Sequence, residues 1–221
     1  LDAHHELVLA PETRFVAGLL RLPLDRPYNE QEWGMVLELI RQDSKLASWP
    51  GNVLPQYLSL LHSIDNPAFA DVFCALLETW SACNGKKALR RGNKKGLYSG
   101  KAAPVLAQVF PQASFVYIYR DPRDIVLSIK KNLQRNKYIA DIALFGQRLQ
   151  RRHDRLQAFI AAHPRRCHML RYEDLVCSPE QTCRTICTFL GIEFDPGMLL
   201  FHRDNKDGDL LISSTSAIHA N

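Results

Sequence analysis

Residues 114–131, with the sequence SFVYIYRDPRDIVLSIKK, constrain the fold of this chain more than any other segment. β-Branched and aromatic residues fill positions 115–119, which predicts a buried strand that ends at an Asp-Pro pair. Apolar residues at helical spacing follow, so we expect a helix that begins at Pro122 and is capped by Asp121. A strand that leads through a tight turn into a helix is a building unit of α/β sheets.

The turn of this unit carries a candidate anion-binding pair. Arg120 lies at the carboxyl end of the strand, where open α/β sheets bind ligands. Ser128 follows eight residues later, near the helical face that carries Asp121 and Asp124, so its hydroxyl can approach the same anion. A guanidinium, a hydroxyl and a helix N-terminus suit a phosphate group. The alternatives are a surface ion pair between Arg120 and Asp124, and an ordinary helix serine.

Composition restricts the class of protein. A chain of 221 residues can bury one good core and a helical subdomain, but not two large domains. The 28 basic and 23 acidic residues give a formal net charge of +5, which suits an anionic ligand. The basic residues are too dispersed for a nucleic-acid surface, so we expect no nucleic-acid partner. No apolar run approaches membrane-spanning length and no signal peptide is visible, which predicts an ordinary globular protein.

The cysteines and histidines show no metal-site pattern. Cys183 and Cys187 share an apolar helical stripe with Ile186 and Leu190, so we expect core thiols, with metal ligation as the alternative. None of the six cysteines has C-x-x-C spacing. We interpret the adjacent histidines at 4–5 as a solvated helix end. The sequence therefore predicts no metal, a reducing compartment and a cytoplasmic location.

The rest of the chain alternates strands with helices. We expect the end of a helix over 1–6, an extended stretch over 6–15, interrupted helices over about 29–84, and a short strand and loop over 86–95. A helix capped by Ser99 should end before Pro111, and a long polar helix should span about 138–162. A strand from 166 to Tyr172 and a helix from a capping box at 178–181 to Gly191 should follow. This alternation predicts parallel strands joined by right-handed crossovers, which is an α/β fold.

Two motifs resemble those of the sulfotransferases that use 3′-phosphoadenosine 5′-phosphosulfate as donor. YIYRDPRDIVLS, at 117–128, resembles the family's 3′-phosphate-binding unit, which implies that Arg120 and Ser128 bind that phosphate. LRYEDLVCSPEQTCRTICTFLGIEFDP, at 170–196, resembles a later segment whose tyrosine contacts the nucleotide. The resemblance implies this role for Tyr172, with packing on the strand edge as the alternative.

Two further segments resemble the tyrosylprotein branch of that family and its bacterial relatives. Glu-Thr-Arg at 12–14 looks like the stretch that carries the catalytic base, which implies this role for Glu12, with a merely solvated loop as the alternative. GNKK at 92–95 is similar to a family sequence whose lysine contacts the bridging oxygen of the donor. The resemblance implies this role for Lys94, with the neighbouring Lys95 as a rival.

The ends of the chain depart from the family pattern. The segment 210–221 resembles a loop that supplies a serine to the donor, which implies a donor contact for Ser216, with Ser213 and Ser214 as rivals. The family's glycine-rich phosphosulfate loop would stand just before the first residue, and its closing segment just after the last. We therefore expect the chain to be the core of such a domain without these two segments.

The resemblance implies one sulfotransferase domain over 1–221, with a helical substrate-side subregion at about 29–85. The implied fold is α/β and P-loop-NTPase-like, with a central parallel sheet flanked by helices in three layers. The implied reaction transfers a sulfuryl group to a hydroxyl of a small-molecule or peptide acceptor and releases adenosine 3′,5′-bisphosphate. The alternatives are a nucleotide-binding module without turnover and a small-molecule kinase of related fold. A kinase requires G-x-x-x-x-G-K-[ST], which this sequence does not contain.

Overall fold

The computed structural model describes residues 1–86, 89–94, 102–131 and 142–200. The chain divides into two compact units, Leu1–Gln112 and Ala113–Asn221. In their described parts, each unit contains one pair of parallel strands together with helices. Among the described helices, none combines the length and the apolar character that crossing a membrane requires.

The first unit contains, in chain order, β1 Leu7–Ala10, α1 Phe15–Leu19, α2 Glu30–Arg41, α3 Ser44–Ala47, α4 Val53–His62, α5 Phe69–Cys83, β2 Arg90–Asn93 and α6 Ala102–Val109. The second contains β3 Phe115–Tyr119, α7 Pro122–Lys131, α8 Ile142–Ala162, β4 Cys167–Arg171, α9 Tyr172–Cys177, α10 Pro179–Leu190 and a short 3₁₀ helix at Pro196–Leu200. The predicted alternation of strands and helices, and the interrupted helices over 29–84, are confirmed.

The core of the first unit lies where α4 and α5 pack together and α5 contacts β1. The apolar residues of α5 recur at helical spacing, so one face of the helix can be removed from water. Tyr57 of α4 is fully buried, and its hydroxyl donates a hydrogen bond to the carbonyl of Val72 at 2.8 Å. That bond satisfies a polar group that would otherwise destabilise the core. The fully buried apolar side chains of this unit include Val8, Val16, Val36, Tyr57, Phe69 and Leu76.

The core of the second unit includes the two predicted core thiols. Cys183 and Cys187 are buried on α10 beside Ile186, and the Sγ of Cys187 lies 3.6 Å from the Sδ of Met198. Burial raises the pKa of both thiols, so both are neutral at pH 7. All six cysteines are free. The prediction of core thiols is confirmed.

The N-terminal residues differ from the prediction. Residues 1–6 form turns rather than the end of a helix, and Asp2 Oδ1 accepts the backbone N–H of Leu9 at 2.8 Å. His4 is fully buried, and its Nδ1 accepts the N–H of Glu6 at 3.0 Å, whereas His5 is exposed. The interpretation of both histidines as solvated was therefore wrong, because a local turn folds His4 inward.

In the second unit, the end of a strand and the cap of a helix also differ from the prediction. The strand β4 ends at Arg171, and Tyr172 begins α9 instead of ending the strand. Ser178 precedes α10 without a side-chain capping bond, so the predicted capping box was wrong. A capping box requires the N–H of Ser178 to donate to the side chain of Gln181. That N–H donates to the carbonyl of Asp174 instead. Ser99, the predicted cap of the helix before Pro111, lies outside the described residues.

Gly191 ends α10 as predicted, with φ of +64°. Replacing Gly191 with Ala should lower the free energy of unfolding by about 1 kcal/mol, because a Cβ is unfavourable in the left-handed region. Gly146→Ala is the matched control inside α8, where an added Cβ meets no atom within 4 Å. This control should raise stability by about 0.5–1 kcal/mol. Urea denaturation of the two variants measures both effects, and a loss of equal size in the two would contradict the assignment of the helix end.

Candidate active site

The carboxyl ends of β1 and β2 bring two predicted site residues to the same edge of a strand pair. The two strands are parallel, with Ala10 opposite Asn93. Glu12 follows β1 by two residues, and Lys94 follows β2 directly. The backbone N–H of Lys94 donates to the carbonyl of Ala10 at 3.0 Å, which continues the pairing past the end of β2. The side chain of Lys94 is exposed at this edge.

Asn93 fixes the two chain segments against each other. Its Nδ2 donates hydrogen bonds to the carbonyls of Ala10 at 3.1 Å and Pro11 at 2.9 Å. Both acceptors belong to the segment that leads into Glu12, while Asn93 itself precedes Lys94. The side-chain amide of Asn93 therefore links the segment that leads into Glu12 to the segment that leads into Lys94.

A buried carboxylate that the sequence analysis did not single out organises the loop after Glu12. Asp43 is 2% exposed, and its Oδ2 accepts the N–H groups of Arg14 at 2.5 Å and Phe15 at 2.8 Å. Its Oδ1 accepts the N–H groups of Lys45 at 2.9 Å and Leu46 at 3.1 Å, which caps α3. The sequence indicates the local role, because an Asp before Ser-Lys-Leu is typical of an N-cap. It does not indicate the bonds to Arg14 and Phe15, which lie 29 and 28 residues away.

The carboxylate of Glu12 is not simply solvated. Its Oε2 accepts a hydrogen bond from Nζ of Lys45, in an ion pair whose two side chains are each 33% exposed. The sequence reasoning also missed Lys45, because the two residues are 33 positions apart. This edge of the first unit thus combines a carboxylate, its ammonium partner and an exposed lysine.

The second unit repeats this arrangement with different side chains. β3 and β4 are parallel, with Tyr119 opposite Arg171, so Arg120 and Tyr172 leave the same edge. The guanidinium carbon of Arg120 lies 4.7 Å from the centre of the Tyr172 ring, within the range of a cation–π contact. The structure therefore brings together two of the residues predicted to bind the nucleotide, although Tyr172 lies at the start of a helix.

The alternative for Arg120, an ion pair with Asp124, is present only as a loose contact. Nε of Arg120 lies 3.9 Å from Oδ2 of Asp124, too far for a hydrogen bond. Nε is shielded from solvent and has no hydrogen-bond partner among the described residues. This N–H is thus a donor that no described group satisfies.

Hydrogen bonds define the turn between β3 and α7. Asp121 accepts the backbone N–H of Arg123 at 2.8 Å, which confirms the predicted cap, and it also pairs with the Arg123 guanidinium. These bonds lower the pKa of Asp121 to about 2. The N–H of Asp121 donates to Oε1 of Glu173 at 3.1 Å, and this bond lowers the pKa of Glu173. Glu173 thus ties the turn after β3 to the helix that follows β4.

The other predicted site residues are less fully defined. Ser128 lies on α7, partly exposed, eight residues after Arg120, and a shared phosphate remains a prediction for this pair. Ser216 and its rivals Ser213 and Ser214 lie outside the described residues, as does Lys95.

Comparison with known proteins identifies the family. The family model described as "Sulfotransferase family" matches residues 1–196. This chain belongs to the sulfotransferase family. The sulfotransferase chain is 27% identical over 220 residues to protein-tyrosine sulfotransferase A of Caenorhabditis elegans, covering 97% of this chain and 50% of that protein. It is 27% identical over 208 residues to the protein-tyrosine sulfotransferase of Drosophila melanogaster, covering 90% of this chain and 36% of that protein. The chain thus spans half or less of the length of these two curated relatives.

A solved structure shows the fold of this sulfotransferase chain. The sulfotransferase domain from the curacin biosynthetic pathway matches with a TM-score of 0.60 at 19% identity, covering 99% of this chain and 74% of that one. The predicted α/β, P-loop-like fold is therefore confirmed.

The hydrogen-bonded turn after β3 should make the stability of the folded protein depend on pH. Because the pKa of Asp121 is about 2 in the folded protein and 3.8 ordinarily, folding favours its ionised form. This contribution to stability is complete above the ordinary pKa and is lost as the pH falls through about 2. An NMR titration of the Asp121 carboxyl carbon should show a midpoint near 2. Arg123→Ala should move the midpoint towards 3.8, and Arg123→Lys should move it only part of the way. An ordinary midpoint in the unaltered protein would contradict the described turn.

Proposed function

We propose that this protein transfers a sulfuryl group from 3′-phosphoadenosine 5′-phosphosulfate to an acceptor hydroxyl and releases adenosine 3′,5′-bisphosphate. One observation carries the proposal: a chain of the sulfotransferase family holds Glu12 and Lys94 at the same edge of β1 and β2. We propose further that residues 1–221 belong to one catalytic domain.

The proposed step needs a cation beside the leaving oxygen. A bond forms between the acceptor oxygen and sulfur, while the bond from sulfur to the bridging oxygen of the donor breaks. The electron pair of that bond stays on the bridging oxygen, which becomes part of the product phosphate. By analogy with phosphoryl transfer, positioning and electrostatic stabilisation supply most of the catalysis. The ammonium of Lys94 stabilises the charge that develops on the bridging oxygen.

The step also needs a base. The acceptor hydroxyl loses its proton as the new bond to sulfur forms, and the carboxylate of Glu12 accepts that proton. The sulfuryl group carries less negative charge than a phosphoryl group, so a divalent metal is less necessary for the proposed reaction than for phosphoryl transfer.

The nucleotide part of the proposal concerns the second unit. The guanidinium of Arg120 binds the 3′-phosphate at the carboxyl end of β3, together with the hydroxyl of Ser128 and the N-terminus of α7. Tyr172 stacks on the guanidinium, which restricts its orientation, and Ser216 remains our proposal for a further donor contact.

The proposed acceptor is taken from the names of the two curated relatives. Both curated relatives are named protein-tyrosine sulfotransferases, so we propose a tyrosine hydroxyl in a peptide or protein as the first acceptor to test. A small-molecule hydroxyl is the second.

Glu12→Gln tests the base. The variant should reduce kcat by about 100-fold or more, because the amide cannot accept the proton. Binding of adenosine 3′,5′-bisphosphate, measured by calorimetry, should not change. Glu6→Gln is the matched control, since Glu6 precedes the other end of β1 and its side chain has a similar exposure of 31%. Full activity of Glu12→Gln would rule out the base role.

Arg120→Ala tests the phosphate site. The variant should weaken binding of adenosine 3′,5′-bisphosphate by roughly 10- to 100-fold, as expected for a charge-assisted pair, and should change binding of adenosine 5′-monophosphate little. The control is Arg184→Ala, because Arg184 also pairs with a carboxylate one helical turn away and also stacks on a ring, that of Phe194 at 4.1 Å. Equal losses for the two nucleotides in Arg120→Ala would contradict the assignment.

A further inference from the structure

The contact between Lys45 and Glu12 joins a helix start to the strand-end loop. Nζ of Lys45 donates to Oε2 of Glu12, and both side chains are 33% exposed. An ion pair at an ordinary exposed position contributes little to stability, so stability alone gives little reason for this pairing. The partner of Lys45 is, however, the carboxylate that we propose as the base.

Both backbone polar groups of Lys45, its N–H and its carbonyl, form hydrogen bonds. The N–H of Lys45 donates to Oδ1 of Asp43 at 2.9 Å, and its carbonyl accepts the hydroxyl of Ser48 at 2.7 Å. The side chain must still be ordered, but these two bonds restrain the backbone to which it is attached. A lysine held in this way loses less freedom when it pairs than a lysine on a mobile loop.

The backbone on the glutamate side is fixed by the same buried carboxylate. Oδ2 of Asp43 accepts the N–H groups of Arg14 and Phe15, which follow Glu12 by two and three residues. One side chain, 2% exposed, therefore holds the segments that carry both partners of the ion pair. The relative position of Lys45 and Glu12 does not depend on the ion pair alone.

The geometry has two consequences for a base. The ammonium engages Oε2, so a fixed carboxylate can present Oε1 to the acceptor hydroxyl. The donor is an anion, and an unpaired carboxylate beside its sulfuryl group would repel it. A neighbouring ammonium offsets that repulsion at a partly exposed site, where the effective dielectric constant is well below that of water.

We propose that Lys45 is a positioning residue of the sulfuryl-transfer reaction, which holds the carboxylate of Glu12 in place and offsets its charge. This inference rests on the proposed role of Glu12 as the base. Lys45 acts through Glu12 and does not itself transfer a proton.

The test is a double-mutant cycle in this protein, with a tyrosine-containing peptide as acceptor. Lys45→Met should lower kcat by roughly 10- to 100-fold, with binding of adenosine 3′,5′-bisphosphate unchanged, and Lys45→Arg should recover most of the loss. Lys86→Met is the control, because Lys86 has a similar exposure of 36% and pairs with Asp2 instead. This control should leave kcat unchanged.

The second arm uses Glu12→Asp, which keeps a carboxylate and therefore a measurable rate but withdraws it from Lys45. In that background Lys45→Met should cost less than about threefold, since the contact is already lost. Equal costs in the two backgrounds, or an unchanged kcat in Lys45→Met alone, would overturn the proposal. Full activity of Glu12→Gln would instead overturn the base role, and the role of Lys45 with it. Denaturation midpoints of all variants verify that the rates belong to folded protein.

Discussion

Parallel pairing of short strands fixes the side chains on which the proposed chemistry depends. In each unit the register places the last residues of two strands opposite each other, Ala10 with Asn93 and Tyr119 with Arg171. Parallel strands end at the same edge, so the residues that follow them meet without any requirement for sequence proximity. The segments that carry Glu12 and Lys94 reach the same edge for this reason, as do Arg120 and Tyr172, whose side chains are in contact.

Buried or shielded hydrogen bonds then convert strand ends into defined sites. Asp43 removes its carboxylate from water and compensates the cost with four backbone N–H donors, which fixes two separate segments. Glu173, whose side chain is 30% exposed, accepts one N–H of the turn after β3, that of Asp121. Removal of the Asp43 carboxylate would leave buried backbone donors unsatisfied, so Asp43 stabilises the loop that carries Glu12.

The sequence predicted what local signals encode. The strand at 115–119, the helix start at Pro122 with its cap at Asp121, and the helix end at Gly191 follow from neighbouring residues and were confirmed. The prediction that this strand is buried was wrong, because its residues are partly exposed and Ile118 is 46% exposed. The resemblance carried by Arg120 and its surrounding motif was confirmed at the level of the family and the fold. The roles of the individual site residues, the metal-free reaction and the cytoplasmic location stay predictions.

What the sequence could not provide depends on contacts between distant residues. Lys45 and Asp43 act on a loop about 30 residues earlier in the chain, and no local pattern marks this. The sequence analysis predicted that Tyr172 ends the strand, yet the helix begins there. His4 is buried by a turn that periodicity does not reveal.

The most direct test of the proposed phosphate site is a crystal structure of the protein with adenosine 3′,5′-bisphosphate. We expect the 3′-phosphate to lie within hydrogen-bond distance of both the Arg120 guanidinium and the Ser128 hydroxyl, at the carboxyl end of β3. A bound nucleotide whose 3′-phosphate contacts neither side chain would contradict it.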